Sequence, residues 1–166
     1  SLDGLDIACC TFGFTGDKIS FSIDCAETIP YQPAMISRLR QTENTSALEF
    51  FRIHNAYGQW AGEVVRDFIG RHHLNPLLIA SHGHTVFHRP EEGFTVQAGN
   101  GAQIAAITGI RTVCDFRSVD VAYGGQGAPL VPIGDRLLFG KYEACVNIGG
   151  FSNISMESAG NRIAWD

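Results

Sequence analysis

Two short polar segments that contain glycine lie beside predicted strands and are suited to binding phosphate. The first is residues 1–4 (Ser-Leu-Asp-Gly), and the second is residues 147–153 (Asn-Ile-Gly-Gly-Phe-Ser-Asn). Successive backbone N–H groups in such a turn can hold phosphate oxygens, and glycine lets a ligand approach the backbone closely. Alone, each segment is more often an ordinary turn. Together they predict a cleft that grips a polyphosphate from both sides, which is the main requirement of phosphoryl transfer.

Polar residues also follow a predicted buried parallel strand at residues 77–80 and a further predicted strand at residues 112–114. The first strand leads into residues 81–85 (Ser-His-Gly-His-Thr), and the second leads into Arg117 and its neighbouring aspartates. Ligands bind at the carboxyl ends of the strands in open α/β sheets. The segment at residues 81–85 is therefore a candidate for binding a substrate.

The charged cluster around Arg117 has two interpretations that the sequence leaves open. The guanidinium can bind a substrate carboxylate through two parallel hydrogen bonds. It can equally form an internal ion pair with Asp115 or Asp120. The glycine-rich segment at residues 124–129 also has two interpretations, because it is suited to a hinge or lid and equally to a tight connection between lobes.

Three histidines, His82, His84 and His88, raise the question of a metal site. Their spacing can place two of them on one side of a strand, yet no nearby Cys or carboxylate completes a zinc-binding pattern. We therefore expect this segment to form hydrogen bonds to a substrate. Asp3 is a separate candidate metal ligand. A carboxylate on a phosphate-binding turn can hold Mg²⁺ through water or orient an attacking hydroxyl.

These segments need strands and helices to position them, and the periodicity predicts an α/β protein. Alternating apolar residues predict an antiparallel hairpin at residues 5–27, and helical spacing predicts helices at residues 34–40 and 46–73. Further predicted elements are a buried parallel strand at 77–80, a strand at 94–97, a helix at 101–108, a strand at 112–114 and a second glycine-containing hairpin at 145–156. A hairpin at each end predicts two lobes of similar plan, residues 1–135 and residues 136–166.

Composition narrows the class of function. Hydrophobic residues make up 45% of the chain, enough for a sizeable core, while charged residues make up only 17%. The low charge predicts that some surface is normally covered by a second lobe or a partner. The net charge of −5 argues against nucleic-acid binding, and no apolar run is long enough to cross a bilayer. Five cysteines without a CxxC pair predict reduced, mostly buried thiols, and the P-loop and dinucleotide-binding motifs are both missing.

Several longer blocks resemble one known family. They are SLDGLDIA at the start, SHGHTVFHRP from residue 81, DFRSVD from residue 115, GGQGAPLVP from residue 124 and CVNIGGFSNIS from residue 145. These blocks resemble the anhydro-N-acetylmuramic acid kinases over nearly the whole chain, most weakly at residues 15–75. The resemblance implies the lobes of actin, Hsp70 and hexokinase, in which a mixed sheet of the ribonuclease H type is flanked by helices.

The resemblance also implies a bacterial cytoplasmic enzyme of cell-wall recycling. In this family, ATP and water convert 1,6-anhydro-N-acetylmuramic acid into N-acetylmuramic acid 6-phosphate, by opening the anhydro ring and phosphorylating O6. ATP and Mg²⁺ are thus the expected cofactors and the sugar is the expected partner, with no nucleic acid and no membrane, while a homodimer is left open. Another sugar kinase, a chaperone-like ATPase of the same fold and a non-catalytic sugar-binding relative are the alternatives.

Matching the family's motifs to this sequence implies roles for individual residues. Asp166 matches the catalytic aspartate that follows the second hairpin in the family. The residues expected to bind ATP and its phosphates are Ser1, Leu2, Asp3, Gly4, Asp6, Gly149, Gly150 and Asn153. The residues expected to bind the sugar are His82, Thr85, Arg117 and Asp120, with Arg117 suited by charge to the lactyl carboxylate. Asp3 is also expected to hold Mg²⁺ indirectly. We expect the chain to be a piece of a longer protein, and therefore do not expect it to turn over ATP alone.

Overall fold

Alternating apolar and polar residues near the start of the chain form a long antiparallel hairpin. A computed structural model describes residues 2–16, 18–148 and 152–165. In it, β1 (Gly4–Thr15) pairs with β2 (Lys18–Pro30), and a bulge lies between Cys9 and Cys10. The predicted hairpin is therefore confirmed, and each strand extends slightly beyond its predicted bounds.

Two helices follow the hairpin, α1 (Pro33–Gln41) and α2 (Ala47–Arg71). Pro33 opens α1, where its fixed φ angle suits the first turn and its missing N–H costs nothing. The Ser46 hydroxyl caps α2 by accepting a hydrogen bond from the Glu49 N–H. Both predicted helices are confirmed within one or two residues of their predicted ends.

The middle of the chain alternates short strands and helices. Its elements are β3 (Ile79–Ser81), β4 (His84–Arg89), β5 (Phe94–Ala98), α3 (Gly101–Thr108), β6 (Thr112–Cys114) and α4 (Ser118–Ala122). Strands β3 and β6 are parallel, and β4 and β5 are antiparallel. Asn100 caps the start of α3, and Gly109 ends the helix with a left-handed φ of 71°.

Two details of this region differ from the sequence expectation. Leu77 and Leu78 were predicted to lie in a buried strand, but they are 86% and 54% exposed. The strand begins only at Ile79, because Thr112–Cys114 offers partners to three residues and no more. The polar loop predicted at residues 81–85 is also shorter, since β4 already begins at His84.

The last part of the described chain contains α5 (Val131–Phe139), β7 (Ala144–Ile148), β8 (Ser152–Ser158) and β9 (Asn161–Trp165). These strands form a three-stranded antiparallel sheet in the order β7-β8-β9. The predicted second hairpin is confirmed by the pairing of Ile148 with Ser152. Its central glycines lie outside the described residues.

The core forms where α2 packs against the base of the first hairpin and α1. Tyr31, Leu39, Ile53 and Tyr57 are buried together, and the hydroxyls of the two tyrosines are 2.6 Å apart. The expectation of mostly buried cysteines is wrong, because Cys114 is exposed and the other four thiols are only half-buried. A two-stranded hairpin has too little surface to bury the three cysteines that it carries. All five thiols are free, as expected.

The architecture is a mixed α/β arrangement. Parallel and antiparallel pairing both occur, and within the described residues they lie in separate small sheets. In that same part of the chain, no helix is both long enough and apolar enough to cross a membrane.

Candidate functional site at the strand ends

Three segments converge at the carboxyl ends of the parallel strands. Ser81, the last residue of β3, pairs with Cys114, the last residue of β6. The start of α3 packs against the same edge, where a Cβ on Gly101 would lie 2.6 Å from the Cys114 Sγ. Only glycine allows so close an approach, and it brings the first turn of α3 beside the ends of both strands.

His82 and Arg117, which leave the two strands, contact each other directly. The Arg117 Nε donates a hydrogen bond to the His82 Nε2 across 2.9 Å. The other ring nitrogen, His82 Nδ1, lies 2.9 Å from the Gly83 carbonyl oxygen, which can only accept. Because Arg117 can only donate, this pair of bonds fits the neutral histidine with its proton on Nδ1. The structure thus brings together two of the residues that the sequence predicted to bind the sugar.

Asp120, the third of those residues, binds the glycine-rich loop. Its Oδ2 accepts a hydrogen bond from the Gly127 N–H at 2.7 Å, and the Arg117 Nη1 donates to the Gly127 carbonyl at 2.6 Å. Asp115, the other aspartate of the cluster, accepts a hydrogen bond from the Ser118 hydroxyl. These hydrogen bonds hold the loop at residues 124–127 close to the strand ends.

Thr85 and the other two histidines lie on β4 rather than in a loop. Thr85 is exposed and pairs with Gln97 of β5. Burial lowers the pKa of His84. The His88 Nδ1 lies 3.3 Å from the Thr95 hydroxyl. Among the residues that the structure describes, no three His, Cys, Asp or Glu side chains form a group that could bind a metal ion.

The first glycine-containing turn is held at the base of the β1–β2 hairpin. Leu2 packs against the core, and the Asp3 carbonyl accepts a hydrogen bond from the Tyr31 N–H at 3.3 Å. A Cβ on Gly4 would lie 2.5 Å from the backbone oxygen of Ile29, so the hairpin requires glycine there. The carboxylate of Asp6 accepts a hydrogen bond from the Thr28 hydroxyl at 2.6 Å.

The second turn is described only in part. Asn153 lies in β8, half-buried and opposite Asn147 of β7. Ser1, Gly149, Gly150 and Asp166, which the sequence assigns to phosphate binding and catalysis, lie outside the described residues. Their predicted roles therefore stay predictions.

Two features of the strand-end region were missed from the sequence. The His54 Nδ1 accepts a hydrogen bond from the Gly99 N–H at 3.2 Å, which ties α2 to the segment before α3. A Cβ on Gly58 would lie 2.5 Å from the Asn100 oxygen, so the helix backbone packs directly on that segment. One signal at this position was readable, because an asparagine before an apolar helix is a common N-cap. No sequence signal indicates that Gly58 packs against residue 100.

The fold and the site are those of an α/β protein that binds a small ligand. Polar side chains that converge at the carboxyl ends of parallel strands are typical of α/β proteins that bind small ligands. The family model described as "Anhydro-N-acetylmuramic acid kinase" matches residues 1–166, and the chain belongs to that family.

Curated relatives agree with this assignment. The chain is 42% identical over 165 residues to an anhydro-N-acetylmuramic acid kinase of Pseudomonas putida, covering 94% of this chain and 44% of the relative. It is 40% identical over 166 residues to the enzyme of that name from Synechococcus elongatus, covering 93% and 43%. For the Pasteurella multocida relative the identity is 38%, with the same coverage. The chain thus spans less than half the length of these relatives.

Proposed function

We propose that the whole protein to which this chain belongs is a kinase of 1,6-anhydro-N-acetylmuramic acid. It uses ATP and water to open the anhydro bridge and to phosphorylate O6, which yields N-acetylmuramic acid 6-phosphate and ADP. The match of the family model across residues 1–166 is the observation that carries this proposal. We infer from the resemblance that the protein acts in peptidoglycan recycling in the bacterial cytoplasm.

The proposed reaction has one base and two coupled bond changes. The Asp166 carboxylate accepts a proton from water as the water oxygen attacks C1, and the C1–O6 bond breaks. The released O6 then attacks the γ-phosphorus of ATP, and ADP leaves. General-base catalysis of this kind contributes about 10²–10⁴-fold to the rate. The remaining requirement is to position and neutralise the phosphates.

The phosphates are proposed to lie between the two glycine-containing turns. The proposed phosphate-binding residues are Ser1, Leu2, Asp3, Gly4, Asp6, Gly149, Gly150 and Asn153. Asp3 is exposed at the first turn, and a carboxylate is a hard oxygen ligand suited to Mg²⁺ through water. When bound, Mg²⁺ would neutralise charge on the phosphates.

The sugar is proposed to lie at the strand ends beside His82, Thr85, Arg117 and Asp120. The contact between His82 and Arg117 supports this placement, because it puts a permanent positive charge at the edge where α/β sheets bind ligands. That charge suits the lactyl carboxylate of the substrate. We also propose an actin-like division into residues 1–135 and residues 136–166, and a homodimer as one assembly to be tested.

The test is ADP release by the whole, naturally encoded protein. We expect ADP to form with 1,6-anhydro-N-acetylmuramic acid but not with glucose, and mass spectrometry to show a product heavier by one phosphoryl group and one water. Asp166→Asn should abolish turnover while ATP still binds. Asp67→Asn, on the exposed face of α2, is the matched control and should leave turnover unchanged. Sugar binding without ADP formation, or full turnover by Asp166→Asn, would contradict the proposed reaction.

A further inference from the structure

The backbone of Gly127 is held on both sides, at its N–H and at its carbonyl. Its N–H donates to the Asp120 carboxylate at 2.7 Å, and its carbonyl accepts from the Arg117 Nη1 at 2.6 Å. The Gly125 N–H also donates to the backbone oxygen of Asp120 at 2.8 Å. The loop at residues 124–127 therefore folds around a single residue of α4.

The packing of this loop leaves room only for glycine at two positions. A Cβ on Gly125 would lie 2.3 Å from the Asp120 Oδ2. Gly127 has a left-handed φ of +64°, and a Cβ there would lie 2.7 Å from a methyl carbon of Val121. The loop conformation is thus specified by the Asp120 carboxylate together with two glycines that fit closely around α4.

We propose that Asp120 is a positioning residue for the sugar site. It fixes the loop at residues 124–127, and through the Gly127 carbonyl it fixes the guanidinium of Arg117 against His82. Loss of the Gly127 N–H bond would release the loop and remove one of the acceptors that orient Arg117. This role rests on the proposed function only for its kinetic consequence, because the loop geometry can be measured without any sugar.

The decisive comparison is Asp120→Ala against Asp120→Asn in the whole protein. An asparagine side chain still offers an oxygen to the Gly127 N–H, whereas alanine offers none. We expect hydrogen exchange at the Gly127 amide to become faster in Asp120→Ala, on the order of tenfold, and to change much less in Asp120→Asn. The KM for the sugar should rise in Asp120→Ala, recover in Asp120→Asn, and leave the KM for ATP unchanged in both.

A second variant disturbs the loop while keeping the carboxylate. Gly127→Ala places a methyl group against Val121 in a conformation that favours glycine, so it should raise the KM for the sugar as Asp120→Ala does. Glu63→Gln, which removes an exposed carboxylate from α2, is the control and should behave as the unmodified protein.

The outcomes separate this role from direct contact with the substrate. Equal loss of turnover in Asp120→Asn and Asp120→Ala would overturn the proposal, because it would require the charge itself. An unchanged Gly127 exchange rate in Asp120→Ala, or an unchanged KM in Gly127→Ala, would overturn it as well. If the unmodified protein shows no sugar-dependent turnover, the proposed function fails, while the exchange measurement still tests the loop.

Discussion

The region around α2 and the sheet at the end of the chain bury opposite kinds of residue. Around α2, apolar side chains such as Ile53, Tyr57 and Phe68 are at most 3% exposed. In the sheet β7-β8-β9, the cross-strand row of Val146, Ile154 and Trp165 is 61%, 38% and 49% exposed. The apolar face of the helix thus lies over a core, whereas this apolar row of the sheet is largely exposed to solvent.

Polar contacts join the last sheet to its helix instead. Asp135 of α5 accepts a hydrogen bond from the Ser155 hydroxyl, and both residues are buried. The Arg162 Nε donates to the same hydroxyl at 3.1 Å, and its side chain is 3% exposed. The comparison shows that alternation specifies a sheet, but not which of its faces another element covers.

The largest expected effect is the loss of apolar volume beside α2. Phe68→Ala should lower the free energy of unfolding by about 3–5 kcal/mol, because a fully buried ring leaves a cavity. Val146→Ala, on the exposed row of β7, should change it by less than about 1 kcal/mol. Urea titration of the 166-residue chain measures both, and equal costs would remove the contrast between the two regions.

The next effect concerns the polar contacts of the last sheet. Ser155→Ala should lower the free energy of unfolding by about 1–3 kcal/mol, because Asp135 and Arg162 lose a shared partner in a buried site. Ser158→Ala, at the exposed end of the same strand, is the matched control and should have little effect. A neutral result for Ser155 in the same titration would mean that this network does not join α5 to the sheet.

Two glycines of α2 should respond in opposite directions. Gly58→Ala should destabilise the chain by about 1–3 kcal/mol, because the added methyl meets the backbone of Asn100. Gly70→Ala should stabilise it by about 0.4–1 kcal/mol, since a Cβ there meets nothing within 4 Å and alanine favours helix. Thermal unfolding followed by circular dichroism gives both signs, and stabilisation by Gly58→Ala would contradict the described packing.

The smallest effect is the pH dependence that Glu27 contributes. Hydrogen bonds from Arg71 and His72 lower the pKa of Glu27 from 4.5 to about 2. A carboxylate with a depressed pKa adds stability above its unfolded value, so this contribution is lost as pH falls from 4.5 towards 2. Glu27→Gln should flatten the unfolding profile in that window, and added salt should weaken the effect. An unchanged profile would show that these ion pairs do not contribute.

The sequence predicted the elements whose signals are local. Helix α2 carries apolar residues at helical spacing and a serine followed three residues later by Glu49, so both its existence and its start were readable. Helix α5 was missed, because Pro132 follows a glycine-rich loop and resembles a break, although proline is compatible with a first turn. The exposure of Leu77 was unpredictable, since an apolar run does not reveal how many partners its strand will find.

The candidate site was also predictable from the sequence only in part. The family resemblance implied that His82 and Arg117 both bind the sugar, and the parallel pairing of β3 with β6 places the two side chains in contact. The contact of Asp120 with Gly127 could not be predicted, because it depends on the path by which the loop returns to α4. The roles of residues outside the described ranges rest on the family resemblance alone.

The most direct test of the proposed site is a structure of the whole protein with a non-hydrolysable ATP analogue and the anhydro sugar. We expect residues 1–4 and 149–153 to contact the phosphates at hydrogen-bond distances of about 2.7–3.2 Å, with Asp166 beside C1 of the sugar and Arg117 at its carboxylate. Phosphates bound away from both turns, or a sugar remote from Asp166, would contradict the account.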